Sequence, residues 1–281
     1  MTGSEEWVVL AETARGYAHD LSGLPNQDSH LGAGLVIGKE PGILAAVADG
    51  HGSRRHFRSG TGSRLATMAA RECVLVASAD LVEDVTTVGA AMKLEQRIAP
   101  MIVETWRSSV SADVSESPFT PEEESLRLTG DTAEIAYGST LLVGVWTADW
   151  VLCLQIGDGD ILVVKSDASV LVPVPEDPNI IGHRTTSLCQ PDALESFRYA
   201  ILDTSQTSPL ALMLSTDGFS NSRTGAWQED VAAEIGDRFG TGGVPLVADG
   251  LRSWVMLSAS SDGSGDDTTV CLVVRENRET S

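Results

Sequence analysis

Short runs of apolar residues, rich in Val, Ile and Leu, recur along the chain at Trp7–Ala11, Leu31–Ile37, Ile43–Ala48, Ser139–Trp146, Val151–Ile156, Ile161–Val164, Tyr199–Leu202, Leu210–Leu214 and Thr268–Val274. Runs of this length, bounded by Gly, Pro, Asp or Asn, are strand signals. Nine strands are therefore predicted, with helices between them. Leu65, Met68, Ala69, Cys73 and Val76 repeat at i, i+3, i+4 and predict a helix that buries those residues. A second helix is predicted over roughly 88–110, where Pro100 predicts a kink or break because it removes a backbone donor and crowds the preceding turn. The polar, acidic stretch 111–134 predicts an exposed loop with at most a short helix starting after Thr120 or Pro121. Two further helices are predicted over 226–238 and 244–258.

These elements occupy 281 residues, 42% of them hydrophobic, a length able to bury roughly 70–75% of its unfolded surface. There is no internal repeat, and the Gly/Ser stretches at 240–243 and 260–265 have loop length. A single domain with a core over about 7–275 is expected. The net charge of −21 argues against nonspecific nucleic-acid or anionic-membrane binding, which needs a basic surface. No stretch reaches the roughly 20 apolar residues of a bilayer span, and the chain opens MTGSEEWVVL without a basic leader, so a cytoplasmic location is expected. Cys73, Cys153, Cys189 and Cys271 lie far apart. They form neither a zinc spacing nor a disulfide framework and read as buried apolar residues.

Five Asp-Gly pairs, at 49–50, 158–159, 217–218, 249–250 and 262–263, are by themselves turn signals. The VADG at 247–250 falls in a helical face of Val247, Leu251, Trp254 and Val255, so Asp249 reads as a surface residue. Three of the others share one pattern, an apolar strand, an Asp at its end, then a turn: ILAAVADGHG (Asp49), VLCLQIGDGD (Asp158) and LALMLSTDGF (Asp217). SGDDTTVCLVV adds Asp266 and Asp267 just before a strand. A carboxylate fixed at a half-buried strand end is unfavourable unless paired or metal-bound. Basic residues near those ends are confined to Arg54, Arg55 and Arg58, which makes a hard divalent cation the better partner. Carboxylates with a backbone carbonyl suit Mg²⁺ or Mn²⁺ rather than zinc, and several of them together imply two ions.

The ordered set ADGHG, YGSTLLVG, IGDGDILVV, LSTDGF and GDDTTVCLVV resembles the metal-dependent type 2C Ser/Thr protein phosphatases over roughly residues 12–274. The resemblance implies an α+β fold: a four-layer α/β/β/α sandwich of two antiparallel sheets packed face to face with helices outside. It also implies a two-metal centre at one end. In that reading Asp49 bridges two Mn²⁺ or Mg²⁺ ions, Gly50 gives one its carbonyl oxygen, Asp217 and Asp266 hold the other, and Asp158 serves a third, weaker ion. His51 takes the place of the general acid, a role that suits an imidazole titrating near neutrality. Asp267 replaces the family's usual Asn beside the last ligand. The implied reaction is hydrolysis of phosphoserine or phosphothreonine in proteins by a metal-bridged water.

The segment RGYAHDLSGLPNQDSH departs from the family. Asn26-Gln27-Asp28 matches its acidic pair, with Gln27 at the Glu position, but the place of the phosphate-binding Arg is filled by Gly23 or Leu24. Arg15, His19 and the Arg54, Arg55 and Arg58 of SRRHFR are the candidates to replace it. An arginine is preferred because its planar fork grips phosphate at two points. The same departure motivates a second reading, a non-catalytic scaffold of the same fold that binds a kinase or phosphoprotein. The N-terminal pattern and HRTTSLCQPDALESFRYA resemble a bacterial subgroup associated with Ser/Thr kinases and von Willebrand A-type proteins. The 175–200 stretch, where other members carry a flap beside the centre, is expected to bear on substrate choice.

Overall fold

The computed structural model describes residues 5–38, 40–79, 81, 87–178 and 185–277. Its strands are β1 (Glu5–Ala14), β2 (Ser29–Ile37), β3 (Glu40–Ala48), β4 (Leu141–Thr147), β5 (Trp150–Ile156), β6 (Asp160–Lys165), β7 (Val170–Leu171), β8 (Arg198–Asp203), β9 (Pro209–Ser215) and β10 (Thr268–Asn277). All nine predicted runs are strands; β7, two residues long, is too short to register as a run. The strands form two five-stranded sheets, ordered β1-β10-β9-β6-β7 and β2-β3-β4-β5-β8. Every pairing is antiparallel.

Antiparallel sheets commonly leave one face wet and alternate apolar with polar residues. Here the inner strands are apolar throughout, because side chains of period two find a covered layer on both sides. On β3, Ile43, Ala45 and Val47 pack against Ile161, Val163, Leu212 and Leu214 of the other sheet. Leu44, Ala46 and Ala48, pointing the opposite way, pack beneath helices. The second sheet behaves alike, with Cys271 and Val273 of β10 inward and Val270, Leu272 and Val274 outward under a helix. The result is the α/β/β/α sandwich expected from the family resemblance.

The helices are α1 (Tyr17–Ser22), α2 (Ser59–Ala79), α3 (Val88–Glu116), α4 (Pro121–Glu124), α5 (Thr204–Thr207), α6 (Asp217–Ser220) and α7 (Trp227–Ala259). The buried face of α2 differs from the predicted one. Met68 and Val76 are 51% and 49% exposed, while Ala66, Ala69, Ala70, Cys73, Val74 and Ala77 are buried. Small residues let α2 lie close to β2 and β3, and the larger side chains are turned to the rim. Nor does Pro100 break the second helix, which runs from Val88 to Glu116 and so takes in the first part of the expected loop. Pro100 is exposed, so the carbonyl it leaves unbonded faces water, while Leu94, Ile98, Ile102 and Trp106 on the opposite face are fully buried. Such burial stabilises by roughly 1.5–3 kcal/mol per side chain, enough to outweigh the lost hydrogen bond.

α4 begins where the sequence placed it. Thr120 accepts from Glu123 N, and the Glu123 carboxylate accepts from Thr120 N, a reciprocal cap. α7 contains a break at Gly243, φ 66°, followed by Pro245, which reproduces the two predicted helices; a residue with a Cβ is disfavoured at that φ. Asp249 is exposed on the second part of α7. All four cysteines are free and buried, and among the described residues no helix is long and apolar enough to cross a membrane.

Candidate metal centre

The carboxylates sit where strands stop. Asp49 follows β3, Asp158 occupies the turn between β5 and β6, Asp217 opens α6 after β9, and Asp266 precedes β10. The sheets bring these ends together, for β9 pairs with both β6 and β10, through Ser215 to Asp160 and Val270. Asp49, Asp158, Asp217 and Asp266 line one cavity of about 460 Å³ with Gly50, His51, Arg55 and His56.

Asp49 is clamped by its backbone. Its N–H donates to Thr140 Oγ1 at 3.0 Å and its carbonyl accepts from Thr140 N at 2.9 Å. Gly50 has no room for a side chain, since a Cβ there would stand 2.6 Å from the Gln27 carbonyl oxygen and 2.7 Å from that of Ser59. Asp217 Oδ2 accepts from Asn221 Nδ2 at 3.0 Å.

Burial, then the neighbouring carboxylates, raises the proton affinity of Asp49, Asp217 and Asp266. Asp49 lies well above the usual carboxylate range, from burial first and then from repulsion by Asp28, Asp217, Asp266 and Asp158. Asp217 is pushed up to about 7 by burial and by Asp158 and Asp266, and burial also raises Asp266. Asp28, buried beneath them, reaches about 7 for the same leading reason.

Among the described residues no group of three or more His, Cys, Asp or Glu side chains is already gathered to hold a metal ion. The donor set nevertheless fits a hard divalent cation. It is all oxygen, it repels itself, and buried Asp28 Oδ1 has no hydrogen-bond partner.

Asp267 ties the N-terminal segment to the centre. It is 4% exposed, its Oδ1 accepts from Gly16 N at 2.7 Å, and its Oδ2 accepts from Gln27 N at 2.6 Å and His19 Nδ1 at 2.8 Å. His19 is thereby held from behind, and a methyl placed on Gly52 would stand 3.5 Å from its Nε2 and 3.8 Å from Gln27 Oε1. His19 and Gln27 thus approach the loop after Asp49 without lining the cavity. Asp28 Oδ2 accepts from Thr216 Oγ1 at 2.9 Å.

The candidate phosphate-binding arginines separate. Arg15 is exposed and paired with Asp20. Arg54 is exposed on the short turn after the Asp49 loop. Arg58 faces away from the cavity, bonded to Glu123 by Nε and Nη2 at 2.9 Å and stacked 4.6 Å over the Phe119 ring. Arg55 lines the cavity.

His51 is held by its N–H to the Gly138 carbonyl at 3.1 Å. Burial, and then neighbouring His56, pushes its ring down to about 4. The two rings meet edge to face with centroids 5.0 Å apart, and His56 donates from Nδ1 to the Ile135 carbonyl.

His56, Cys189 and Arg198 were not singled out from the sequence as site residues. His56 and Cys189 line the same cavity, and Arg198, beside Asp158, adds a cation near a strand end that sequence reading had taken to lack one. Of the 175–200 stretch, residues 179–184 lie outside the described residues.

A sequence model of the family described as protein phosphatase 2C matches residues 15–256. The chain belongs to that family. Solved structures agree on the fold. The catalytic domain of the serine/threonine protein phosphatase PstP, in complex with two manganese ions, is 17% identical with a TM-score of 0.58, covering 97% of this chain and 99% of that one. Stp1 from Staphylococcus aureus is 14% identical with a TM-score of 0.63, covering 98% of each. PppA, a regulatory component of a Pseudomonas aeruginosa T6SS, is 16% identical with a TM-score of 0.60, covering 97% of this chain and 100% of that one. Compared by sequence with curated proteins, the chain matches none.

Proposed function

We propose that this protein phosphatase 2C family member hydrolyses phosphoserine and phosphothreonine in proteins with the help of two Mn²⁺ or Mg²⁺ ions. The observation that carries the reading is the meeting of Asp49, Asp158, Asp217 and Asp266 with His51 on one cavity. Asp49, with the Gly50 carbonyl, Asp217 and Asp266 would hold the two ions, and Asp158 a third. Ions bound there lower the pKa of water and neutralise phosphoryl charge.

The side chains supply the rest. Arg55 is placed to grip the phosphate in the role left open at Gly23 and Leu24, since among the described residues it is the one Arg or Lys lining the cavity. His51 is the proton donor to the departing seryl or threonyl oxygen. Burial keeps its ring neutral at pH 7, and a phosphoryl group beside it favours the charged imidazole. His56 packs against that ring, and the Gly138 carbonyl holds the His51 backbone. Asp28, Gln27 and Asp267 act from behind, by fixing the N-terminal segment against the Asp49 and Asp266 loops.

Hydrolysis of a phosphothreonine peptide with Mn²⁺, and its loss on adding a chelator, tests the reading. Binding of that peptide with no turnover would favour the scaffold alternative, which the occupied Arg15 and Asp267-bound His19 support. On either reading the partner is a phosphoprotein; a Ser/Thr kinase or a von Willebrand A-type protein is the further partner suggested by the subgroup resemblance.

A further inference from the structure

A second cavity, of about 320 Å³, adjoins the candidate metal centre and shares Asp158 with it. We infer that it receives the side chain of a lysine or arginine lying close in sequence to the phosphorylated residue of the substrate; the inference rests on the phosphatase reading above.

Three features define what fits. The first is uncompensated negative charge. Among the described residues, Asp158, Asp160, Glu176 and Asp177 line the cavity with a single cation, Arg198. That cation is already engaged: Nη1 donates to the Pro175 carbonyl at 2.7 Å, Nη2 to the Gly157 carbonyl at 2.6 Å, and Nε lies 3.6 Å from Asp177 Oδ2. Asp177, buried, also accepts from Thr186 Oγ1 at 2.9 Å, so it and Arg198 balance each other. Among the described residues, Asp160 and Glu176 have no counter-charge of their own in the cavity.

The second feature is an unmatched acceptor in the wall. Gln155 is only 5% exposed, and its Nε2 donates to the Gly157 and Gly159 carbonyls at 3.2 and 2.5 Å. That bonding leaves Oε1 to accept. Asp160 Oδ2 is buried with no hydrogen-bond partner among the described residues. A buried acceptor left unmatched costs about 1–3 kcal/mol, and a ligand rich in N–H donors recovers it.

The third feature is an apolar side. Ile161, Val172 and Val174 also line the cavity, and Val172 is 52% exposed. An ion would be poorly served by three aliphatic side chains and by a volume about ten times the 30 Å³ share of one water. A Lys or Arg side chain suits both halves, with its methylene stem on the valines and its charged head among the oxygens. Because Asp158 borders both cavities, one polypeptide can place its phosphorylated residue in the larger and a neighbouring basic residue in the smaller.

The test is a set of seven-residue alanine-based peptides with a central phosphothreonine and either lysine or norleucine at each other position in turn. Norleucine keeps the stem and removes the charge. Full-length protein with Mn²⁺ is expected to favour lysine at one position by about tenfold in kcat/KM, as for hydrogen bonds to a charged group. In Asp160→Asn and Glu176→Gln that ratio should fall below about threefold. The ratio compares two peptides on one enzyme, so any loss of folding or metal affinity in a variant cancels. Equal rates for lysine and norleucine at every position, or a preference unchanged in both variants, would overturn the inference.

If the wild-type protein turns over neither the peptides nor p-nitrophenyl phosphate, the phosphatase reading fails, and fluorescence anisotropy titration of the same peptides decides the subsite. A tenfold difference in Kd that shrinks in both variants upholds it; equal Kd values overturn it.

Discussion

Arg55 donates from Nε to Asp131 Oδ2 at 2.9 Å and from Nη2 to Asp131 Oδ1, a two-point pair that holds at the cavity mouth the one guanidinium lining it among the described residues. The carboxylate is correspondingly acidic, drawn down to about 2 by the arginine hydrogen bond first, so the pair is intact at every pH where the protein would work. If Arg55 grips the substrate phosphate, Arg55→Ala should raise KM for a phosphopeptide by roughly tenfold or more, the scale of a lost charge-assisted contact. Arg55→Lys should recover only part, because an ammonium is a point charge without the fork. Asp131→Asn leaves the arginine but loosens its aim, and a smaller rise is expected. Steady-state kinetics checks all three, and an unchanged KM in Arg55→Ala would remove the residue from substrate binding.

Asp49 and Asp217 repel each other, so a variant that removes one charge separates stability from function. Asp49→Asn and Asp217→Asn are expected to abolish Mn²⁺-dependent hydrolysis of p-nitrophenyl phosphate. They should also lose the rise in melting temperature that Mn²⁺ gives by binding the folded state. With chelator at pH 8, the same variants should melt higher than wild type, since an uncompensated buried carboxylate costs on the order of a few kcal/mol. Calorimetry with and without Mn²⁺ reads both effects. Retained turnover in either variant would refute the ligand assignment.

The raised carboxyls fix the sign of the pH dependence. Asp28 and Asp217 move from about 3.8 in the unfolded chain to about 7 in the folded one, so between those values the folded state holds more protons and stability falls as pH rises. In chelator, the contribution of these groups should be complete below about pH 4 and lost on going up through pH 7. Mn²⁺ competes with those protons. Its stabilising effect should therefore grow over the same interval, and urea midpoints from pH 5 to pH 8 measure both trends. A chelated protein that gains stability toward pH 8 would contradict the raised proton affinity of Asp28 and Asp217.

Much of this was legible in the chain, and for identifiable reasons. The strand runs stood out because helices cover the outer faces of both sheets, so residues such as Leu44 and Val47, on opposite sides of β3, are both fully buried. The order of the Asp-bearing turns pointed to Asp49, Asp158, Asp217 and Asp266 because each follows or precedes a buried strand. The phase of α2 was misread because hydrophobicity favours Met68 and Val76, whereas close approach favours the alanines on the next face. Arg198 carried no signal, as its role depends on carbonyls at Gly157 and Pro175, 41 and 23 residues away. Nor could spacing distinguish Arg58 from Arg55: Glu123 draws Arg58 off, whereas Asp131 holds Arg55 where it lines the cavity.

His51 gives a prediction that depends on the leaving group rather than on stability. An alkoxide leaving from serine or threonine needs a proton, while a nitrophenolate departs readily without one. His51→Ala should therefore slow phosphopeptide hydrolysis by about 100-fold or more and p-nitrophenyl phosphate hydrolysis far less. His56 touches His51 through its ring edge and anchors to the Ile135 carbonyl, so it acts only by positioning. His56→Ala should shift the same ratio in the same direction by a smaller factor, and His56→Gln, which keeps a donor for Ile135, should restore part of it. A simple loss of folding would lower both rates together. Equal losses on the two substrates in His51→Ala would deny the residue its role as proton donor.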